Sequence, residues 1–551
     1  MPTIPHDSEI LKKGLQKAND ELEAAQLRIK SLDIKLQEKE AELERYRIDL
    51  CRKLVSTLRG IALGPYEFES QLDEPRILLD PIYGSMLVEP WLASLLRHPL
   101  LQRLNFVRQL SFSYQDQPNA SHTRLSHSLG VARFAEMAVH SMLAFDKIYV
   151  IGTSTTENFD LSADDKRKLV MLAKISGMLH DVGHGPFGHA LDRYVQQLKR
   201  KSTTEVRTDK LYSADYISLH LKEVLTRIEV DSGTVSNIID PRKLAELKGK
   251  TYFSLLASVI NSDLDVDRMD YLPRDSLFNG LPLGSLSPFP LIQLMRPVKR
   301  IDPTDGISFY SIAFEDYQIS LLEHAIEGRQ QMYSHCYETD RKIACETMLV
   351  GAVDSFLAIN RGTIDLDQIM LLRDDDLLTL MLSMSPEDTA AHRLSLHLKV
   401  GIPFQLLFKQ LLSPDRGKSI PVLDAYYKEL TRIDVKAESS FRLNHERNTA
   451  KTWKETICDA ASLEEKDRWK VQIYLTPFEL FENPEATTTI LVKDGGTYDT
   501  IPLIERSKSL EAAAKTWRIQ RQNIRFFVDP EMDAERKEKM KQACNELFKV
   551  L

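Results

Sequence analysis

A heptad repeat near the N-terminus constrains the fold more than any other feature of this 551-residue chain. No proline occurs between Leu11 and Leu58, and an apolar residue returns at every seventh position: Leu15, Leu22, Ile29, Leu36, Leu43 and Leu50. Residues spaced in this way share one face of an α-helix, which is typical of a coiled-coil seam. The row three residues further on is less regular, because it includes Ala18, Lys39 and Lys53. The repeat predicts an N-terminal coiled-coil helix over residues 1–60 that pairs with a second copy or with a partner helix. A helix folded back on its own domain is the alternative.

Composition and charge exclude several classes of protein. Hydrophobic residues make up 43% of the chain and charged residues 28%, which is ordinary for a soluble globular protein. The net charge of -8 leaves no overall basic surface, so nucleic acid is not an expected partner. Five cysteines without a Cys-X-X-Cys pair favour neither a disulfide framework nor a cysteine zinc site. Since no run of about 18 apolar residues occurs, we expect a soluble, intracellular, cytoplasmic protein with no membrane partner.

The hydrophobic pattern predicts a mainly α fold. Helical periodicity runs through residues 61–412, with amphipathic stretches such as Leu125–Phe145 and Lys166–His180. Strand patterns are nearly absent from that region. The character changes in residues 413–551, where Val471–Leu475 has the pattern of a strand. We therefore expect a helical core domain over 61–412 and a small α+β appendage over 413–551.

The residues that could carry chemistry lie in the central region. His180 and Asp181 end an apolar helical run. A single His-Asp pair is weak evidence, but His127 precedes it at the start of another helix and Asp267 follows in an acidic segment. Two imidazoles and two carboxylates from three helices would offer a divalent metal mixed ligands, with open positions for water or phosphate oxygen. This ordered set suits a Lewis-acid hydrolase.

Short motifs between residues 76 and 350 carry a family resemblance. They are Asp80-Pro-Ile-Tyr-Gly84, Gln102–Leu110, Ser121–Gly130, His180–His189, Asp265–Asp275 and Tyr333-Ser-His335. In this order they resemble the HD-domain metal phosphohydrolases, and more narrowly the branch of the SAM-and-HD-domain deoxynucleoside triphosphate triphosphohydrolases. The resemblance implies that residues 61–412 are an HD phosphohydrolase domain that cleaves a dNTP to deoxynucleoside and triphosphate. It also implies a nucleotide activator and a role in antiviral or antiphage defence. The two His and two Asp ligands would accommodate one divalent metal ion (Mn, Fe, Zn, Ni or Mg), and the heptad repeat predicts a homo-oligomer.

The resemblance assigns roles to individual residues. The metal ligands would be His127, His180, Asp181 and Asp267. Two imidazoles and a carboxylate that orients a histidine would handle protons: His184, His189 and Asp192. The remaining positions would bind substrate, with Arg124 and Arg268 on phosphate and the others on or beneath the sugar: Gln109, Leu110, Tyr271, Asp275 and Tyr333.

The chain departs from the family pattern in the catalytic region. The family has a further catalytic His downstream of the position of Asp192, whereas the corresponding stretch Lys210–Asp215 contains none. Either His184 or His189 then donates the proton to the leaving group, or the activity is slow, or the reaction differs.

The regulatory nucleotide site of the family is also altered. Gln102 is retained, but Arg97 stands where a guanine-reading Asp is expected and Asn105 where an Arg is expected. Because an Arg cannot accept hydrogen bonds from a guanine edge, GTP is not the expected activator, although another nucleotide could serve.

Two other functions stay open on the sequence alone. The first is an HD phosphohydrolase that acts on an NTP, an NMP or a cyclic or oligomeric signalling nucleotide. The retained Gln109, Leu110 and Tyr333 count mildly against it. The second is a catalytically weak nucleotide-sensing scaffold that signals through its coiled coil, which the missing downstream His favours.

Overall fold

The computed structural model describes residues 6–63, 74–198, 208–249, 252–281, 287–411, 422–423, 425–426, 439–476, 488–513 and 523–549. Most of these residues are helical, so the prediction of a mainly α fold is confirmed. A π-helical turn, Tyr333–Tyr337, follows the helix that ends at Met332. The helices, numbered along the chain, are α1 (His6–Leu63), α2 (Pro90–Arg97), α3 (Pro99–Gln102), α4 (Arg124–Phe145), α5 (Ala163–Leu179), α6 (His189–Leu198), α7 (Asp209–His220), α8 (Lys222–Arg227), α9 (Ser232–Ile239), α10 (Leu244–Leu247), α11 (Phe253–Ile260), α12 (Val266–Phe278), α13 (Pro288–Leu294), α14 (Ile319–Met332), α15 (Asp340–Ile359), α16 (Leu366–Ile369), α17 (Asp374–Met384), α18 (Ala390–Val400), α19 (Ser439–Ala460), α20 (Leu503–Arg506) and α21 (Ala534–Leu547).

The described strands form three sheets. A hairpin of β1 and β2 stands alone, a six-stranded sheet has the order β10-β9-β6-β5-β3-β4, and a three-stranded sheet has the order β7-β11-β8. The strands are β1 (Arg76–Asp80), β2 (Gly84–Val88), β3 (Ile148–Val150), β4 (Thr156–Glu157), β5 (Met295–Ile301), β6 (Ser308–Glu315), β7 (Gln405–Leu411), β8 (Val471–Leu475), β9 (Thr489–Asp494), β10 (Thr497–Pro502) and β11 (Asn523–Val528).

The expectation that strands are nearly absent from residues 61–412 is wrong, because β1 to β7 lie there. β5 and β6 pair antiparallel from Met295 opposite Phe314 to Ile301 opposite Ser308. Periodicity alone cannot distinguish a short apolar strand from a piece of buried helix, because the difference depends on the strand's pairing partner.

The C-terminal strand β9 joins β6 in the same sheet, so strands on both sides of residue 413 share hydrogen bonds. The proposed domain limits remain a prediction, and residue 412 lies outside the described residues.

The helices that carry the candidate ligands were correctly predicted. α4 begins after Thr123, whose hydroxyl accepts a hydrogen bond from the Ser126 N–H, as an N-cap residue does. α5 begins after Ser162, which caps it in the same way. The two helices approach closely, since a Cβ on Gly177 of α5 would lie 2.9 Å from the Val131 carbonyl oxygen of α4. This approach brings the first turn of α4 beside the end of α5.

The predicted N-terminal helix is present as α1, a single helix of 58 residues. Its heptad positions are about half or more exposed: Leu22, Ile29, Leu36, Leu43 and Leu50. Near the globular part α1 contacts α3, α16 and α17. Pairing of α1 in a coiled coil therefore stays a prediction. In the part of the chain that the structure describes, no helix is both long and apolar enough to cross a membrane.

Candidate metal centre

Two imidazoles are held with one nitrogen facing a common point. His127, in the first turn of α4, donates from Nδ1 to Asp270 Oδ2 at 2.8 Å. His180, just after α5, donates from Nδ1 to the Gly177 carbonyl oxygen at 2.7 Å. Since both acceptors are oxygens without a proton, each Nδ1 carries a hydrogen, and Nε2 is the nitrogen that is left to face a metal ion. Both side chains are buried, so the fold fixes the orientation of both rings.

Two carboxylates complete the cluster. Asp267 Oδ1 lies 3.0 Å from His127 Nε2 and 3.6 Å from His180 Nε2. Asp181 Oδ1 lies 3.1 Å from His180 Nε2, and its Oδ2 lies 3.6 Å from His127 Nε2. His180 Nε2 is buried and hydrogen-bonds to no described residue, which is costly for a polar atom. His127, His180 and Asp181 together could hold a metal ion, and Asp267 Oδ1 lies beside both imidazoles. The two nitrogens and the carboxylate oxygens fit a divalent cation, and the four predicted ligands lie together.

The charges of the cluster determine the protonation of its histidines and carboxylates when no metal is bound. Burial lowers the pKa of His180, but the carboxylates of Asp181 and Asp267 outweigh it and raise this pKa to about 10. The pKa of His127 is also raised, because Asp267 and Asp270 oppose the effect of burial. Burial acts to raise the pKa of Asp181, yet the neighbouring His180 holds it well below its usual range. In the metal-free protein, protonated imidazoles therefore balance the carboxylates.

A buried chain of ion pairs supports His127 from behind. Asp270 accepts two hydrogen bonds from Arg274, from Nε to Oδ2 and from Nη2 to Oδ1, each at 2.8 Å. Arg274 also donates from Nη1 to Asp80 Oδ2 at 2.8 Å. A Cβ on Gly130 would lie 1.7 Å from Asp270 Oδ1, so that position has no room for a side chain. Such supporting residues fix the orientation of a metal-binding histidine.

These ion pairs explain the structural role of the Asp80-Pro-Ile-Tyr-Gly84 motif, which the sequence alone did not show. Asp80 opens the Asp80-Pro-Ile-Tyr-Gly84 turn and also accepts a hydrogen bond from the Ile82 N–H at 2.8 Å. A sequence signal for the rest existed, since Asp270 and Arg274 lie four residues apart and so share a face of α12.

Arg124 lies in the centre rather than at the surface. Its Nη1 donates to Asp181 Oδ2 at 2.6 Å, and its side chain is 1% exposed. Its Nε and Nη2 are buried without a hydrogen-bond partner among the described residues. Gly188, with φ of +48°, lets the backbone pass the guanidinium, because a Cβ there would lie 2.3 Å from Nη2. Two unused donors beside the metal ligands are suited to bind anionic oxygens.

The three predicted proton-handling residues lie together next to Asp181. His184 is buried, and its Nδ1 donates to Asp192 Oδ2 at 2.6 Å. His189 is 67% exposed, and its Nδ1 lies 3.5 Å from the same Asp192 oxygen. The two rings meet edge to face with centroids 4.9 Å apart. Burial and Arg124 act to lower the pKa of His184, but Asp192, Asp181 and Asp209 raise it to about 9.

Arg103, from the Gln102–Leu110 motif, fixes the loop that carries His184. Its guanidinium donates to the Val182 carbonyl at 3.0 Å and to the His184 carbonyl at 2.7 Å. Asp374 holds the same loop from the other side, because its Oδ1 accepts from the Phe187 N–H at 2.7 Å. Neither residue is among the positions to which the resemblance assigns a role.

Most of the predicted sugar-contacting residues lie along one wall. Tyr271 is one turn after Asp267, and its ring centroid is 6.4 Å from that of His127. Tyr337 continues the wall, 6.4 Å from Tyr271 and 5.2 Å from Tyr333. Leu110 packs in the same apolar cluster as Tyr271.

The other predicted substrate-binding residues differ in how many hydrogen bonds their polar atoms already make within the protein. Both oxygens of the buried Asp275 already accept hydrogen bonds, from His122 Nε2 and from Tyr337 Oη, each at 2.7 Å. Gln109 Oε1 is buried without a hydrogen-bond partner in the described part of the chain. Arg268 Nη1 lies 3.8 Å from Asp263 Oδ1, beyond hydrogen-bonding distance.

At the regulatory positions, two polar side chains are satisfied locally. Gln102 Nε2 donates to the Leu96 carbonyl oxygen at 2.6 Å. Asn105 Nδ2 donates to Gln102 Oε1 at 3.4 Å.

Asp209 is an acidic residue of the centre that was not predicted from the sequence. Asp209, the first residue of α7, places its Oδ2 3.4 Å from His184 Nε2. The family pattern has a His in this region and so gives no signal for an Asp at this position.

Residues 124–272 match the HD domain family. This chain contains an HD domain. The matched residues include all four candidate ligands, His127, His180, Asp181 and Asp267.

The HD-domain chain is also similar to several known proteins. It is 30% identical over 273 residues to the uncharacterized protein MG461 homolog of Mycoplasma pneumoniae, covering 49% of this chain and 58% of that protein. It is 30% identical over 319 residues to the human deoxynucleoside triphosphate triphosphohydrolase SAMHD1, covering 55% of this chain and 47% of the relative. Against the SAMHD1 homolog of Dictyostelium discoideum the identity is 26% over 353 residues, covering 62% and 63%. The chain thus spans about half the length of the relatives it matches.

Proposed function

We propose that this protein is a metal-dependent nucleotide phosphohydrolase that cleaves deoxynucleoside triphosphates to deoxynucleoside and triphosphate. The observation that carries the proposal is that His127, His180, Asp181 and Asp267 lie together beside the buried Arg124. The HD domain and the similarity to proteins described as deoxynucleoside triphosphate triphosphohydrolases support the substrate class.

A divalent ion would be held by His127, His180, Asp181 and Asp267, and would supply Lewis-acid stabilisation of charge on the phosphate and a more acidic water. Arg124 offers two buried donors to the phosphate oxygens and keeps its contact with Asp181 through Nη1. The attacking water loses a proton to solvent, its oxygen forms a bond to the α-phosphorus, and the bond to the 5′ oxygen breaks, so triphosphate leaves the deoxynucleoside. The mixed nitrogen and oxygen ligands are compatible with Mn, Fe, Zn, Ni or Mg.

His189 is the residue we assign to protonate the departing 5′ oxygen. Its ring is exposed and can be reprotonated from solvent, while Asp192 lies 3.5 Å from Nδ1 and orients it. His184 is buried and directs Nε2 towards Asp181, so it is less able to exchange its proton. Tyr271 and Tyr333 form the wall against which the sugar would pack, with Gln109 and Leu110 at its base.

The test is product analysis by anion exchange. The purified chain is incubated with Mn²⁺ or Mg²⁺ and each dNTP and NTP, singly and in mixtures, beside His180→Ala and Asp181→Ala controls. We expect deoxynucleoside and triphosphate, absent from both controls, and ¹⁸O from labelled water in the triphosphate. Faster cleavage in mixtures would identify a nucleotide activator. Intact dNTPs throughout would contradict the proposal and turn attention to NTPs, NMPs or signalling nucleotides.

We also propose that α1 mediates self-association. The support is its exposed apolar row of Leu22, Ile29, Leu36, Leu43 and Leu50, which a single chain leaves in water. An intracellular location is proposed as well, and the four described free cysteines, all of them buried, support a reducing compartment.

A further inference from the structure

We propose that α1 pairs with α1 of a second chain as a parallel, in-register, two-stranded coiled coil. The inference rests on the proposed self-association of α1 and adds its orientation, its register and the number of strands. It follows from the charged residues that border the apolar row of the helix.

The row that would form the core is exposed in the single chain. Its members are between 48% and 67% exposed: Leu22, Ile29, Leu36, Leu43 and Leu50. Every residue from 21 to 39 is exposed, so no other element in the described part of the chain covers this stretch. A long helix in water gains most of its stability from packing along its apolar face, which a second helix would supply here.

The residues that flank this row carry charges that match in one orientation. With the apolar row at position a of each heptad, Arg28 precedes Ile29 at position g and Asp33 follows it at position e. In a parallel, in-register pair, position g of one helix faces position e of the other, five residues further on. Arg28 would therefore lie beside Asp33 of the partner subunit. The two residues cannot pair within one helix, because neighbours on a helix surface are three or four residues apart.

The sequence repeats this match along the helix. Lys35 and Glu40 occupy the next pair of g and e positions, and Glu42 and Arg47 occupy the pair after that with the signs exchanged. All three pairs are opposite in charge, and a symmetric dimer makes each of them twice. Charges at these positions determine the partner and the orientation of a coiled coil.

An antiparallel pair would instead bring like charges together. The midpoint of α1 lies between residues 34 and 35, so in a fully overlapping antiparallel pair the central residues lie beside their own copies. Asp33 would then face Asp33 of the partner subunit, and Lys35 would face Lys35 of the partner subunit. Both contacts are repulsive, so the charges favour the parallel arrangement.

Lys39 favours two strands over a larger bundle. It occupies a core position three residues after Leu36, and its Nζ donates to Glu42 Oε2 at 2.5 Å. The aliphatic part of a lysine can cover an apolar seam while its ammonium group stays in water. A two-stranded seam keeps that route open, whereas the closed core of a larger bundle would bury the charge.

The parallel orientation determines where the two HD domains lie. α1 leads into the rest of the chain from Leu63, and its 58 residues span roughly 87 Å at 1.5 Å per residue. An antiparallel pair would hold the two HD domains near opposite ends of that length. A parallel pair holds both at the same end, which raises the local concentration of one domain beside the other.

The first test is charge reversal, measured by sedimentation equilibrium of the whole chain at low ionic strength. Arg28→Glu with Lys35→Glu should raise the dimer Kd roughly 10–100-fold, because the attractive contacts of both residues become repulsive. Adding Asp33→Lys and Glu40→Lys to the same chain should restore the wild-type Kd, because opposite charges then face each other again. Lys30→Glu is the matched control, since this position lies outside the core rows and the positions that flank them. It should leave the Kd unchanged.

The second test is disulfide cross-linking of a Leu22→Cys variant that also carries Cys51→Ser. In a parallel, in-register pair, position 22 meets its own copy, so mild oxidation should give a covalent dimer. In a fully overlapping antiparallel pair the two copies of position 22 would be roughly 37 Å apart and could not react. Lys30→Cys with Cys51→Ser is the control and should not cross-link.

The outcomes separate the two proposals about α1. A monomeric wild-type chain would overturn both the self-association and the parallel pair. Three results would overturn the parallel pair alone: an associated chain whose Kd the charge reversal leaves unchanged, a Kd that the compensating changes do not restore, or a Leu22→Cys variant that forms no covalent dimer. Cleavage of dNTP is measured independently of all three.

Discussion

We expect Gly130→Ala to lower both the metal affinity and the folding stability of the protein, although it changes none of the proposed metal ligands. The new Cβ would lie 1.7 Å from Asp270 Oδ1 and 2.7 Å from Arg274 Nη2, so the buried pair must move. Breaking a buried ion pair costs about 3–5 kcal/mol. The higher helix propensity of alanine relative to glycine offsets about 1 kcal/mol of this loss. The net destabilisation should therefore be about 2–4 kcal/mol.

Metal affinity should also fall, because the displaced Asp270 would lose its 2.8 Å hydrogen bond with His127 Nδ1 and so would no longer orient that ring. Loss of such a supporting contact lowers metal affinity by about 10–100-fold. Calorimetric titration with Mn²⁺ measures the affinity, and thermal unfolding of the metal-free chain measures the stability. Gly60→Ala is the control, since its Cβ would meet nothing within 4 Å and it lies on α1. Wild-type Mn²⁺ affinity in Gly130→Ala would refute the argument that Asp270 orients the ligand.

Three further outcomes can be checked. Because the pKa of His180 is raised to about 10 in the metal-free state and that of His127 is also raised, metal binding at pH 7.5 should release protons. Affinity should then rise with pH, and the calorimetric heat of Mn²⁺ binding should vary with the ionisation enthalpy of the buffer; a buffer-independent heat would contradict this. Arg124→Lys should lower kcat/KM for dNTP roughly 10²-fold with little loss of bound Mn²⁺, since a lysine cannot replace the forked donors. Unchanged kcat/KM would exclude Arg124 from phosphate binding. Leu36→Asp should dissociate the oligomer in light scattering, whereas Leu27→Asp, off the heptad row, should not; identical masses for both variants would count against a coiled coil.

The sequence determined the local elements and the order of the principal ligands. Periodicity predicted α4 and α5 to within a few residues, because side-chain spacing reports the local backbone repeat. The ordered His127, His180-Asp181, Asp267 set was sufficient to nominate four candidate ligands that the fold brings together.

Only the tertiary structure decided which residues support that set. Asp80 and Arg274 are 194 positions apart, and nothing in their spacing indicates that they meet. The same holds for the approach of Asp209 to His184 and for the entry of β9 into the sheet of β5 and β6. Such contacts depend on the path of the chain between the elements, and a local hydrophobic period carries no information about that path.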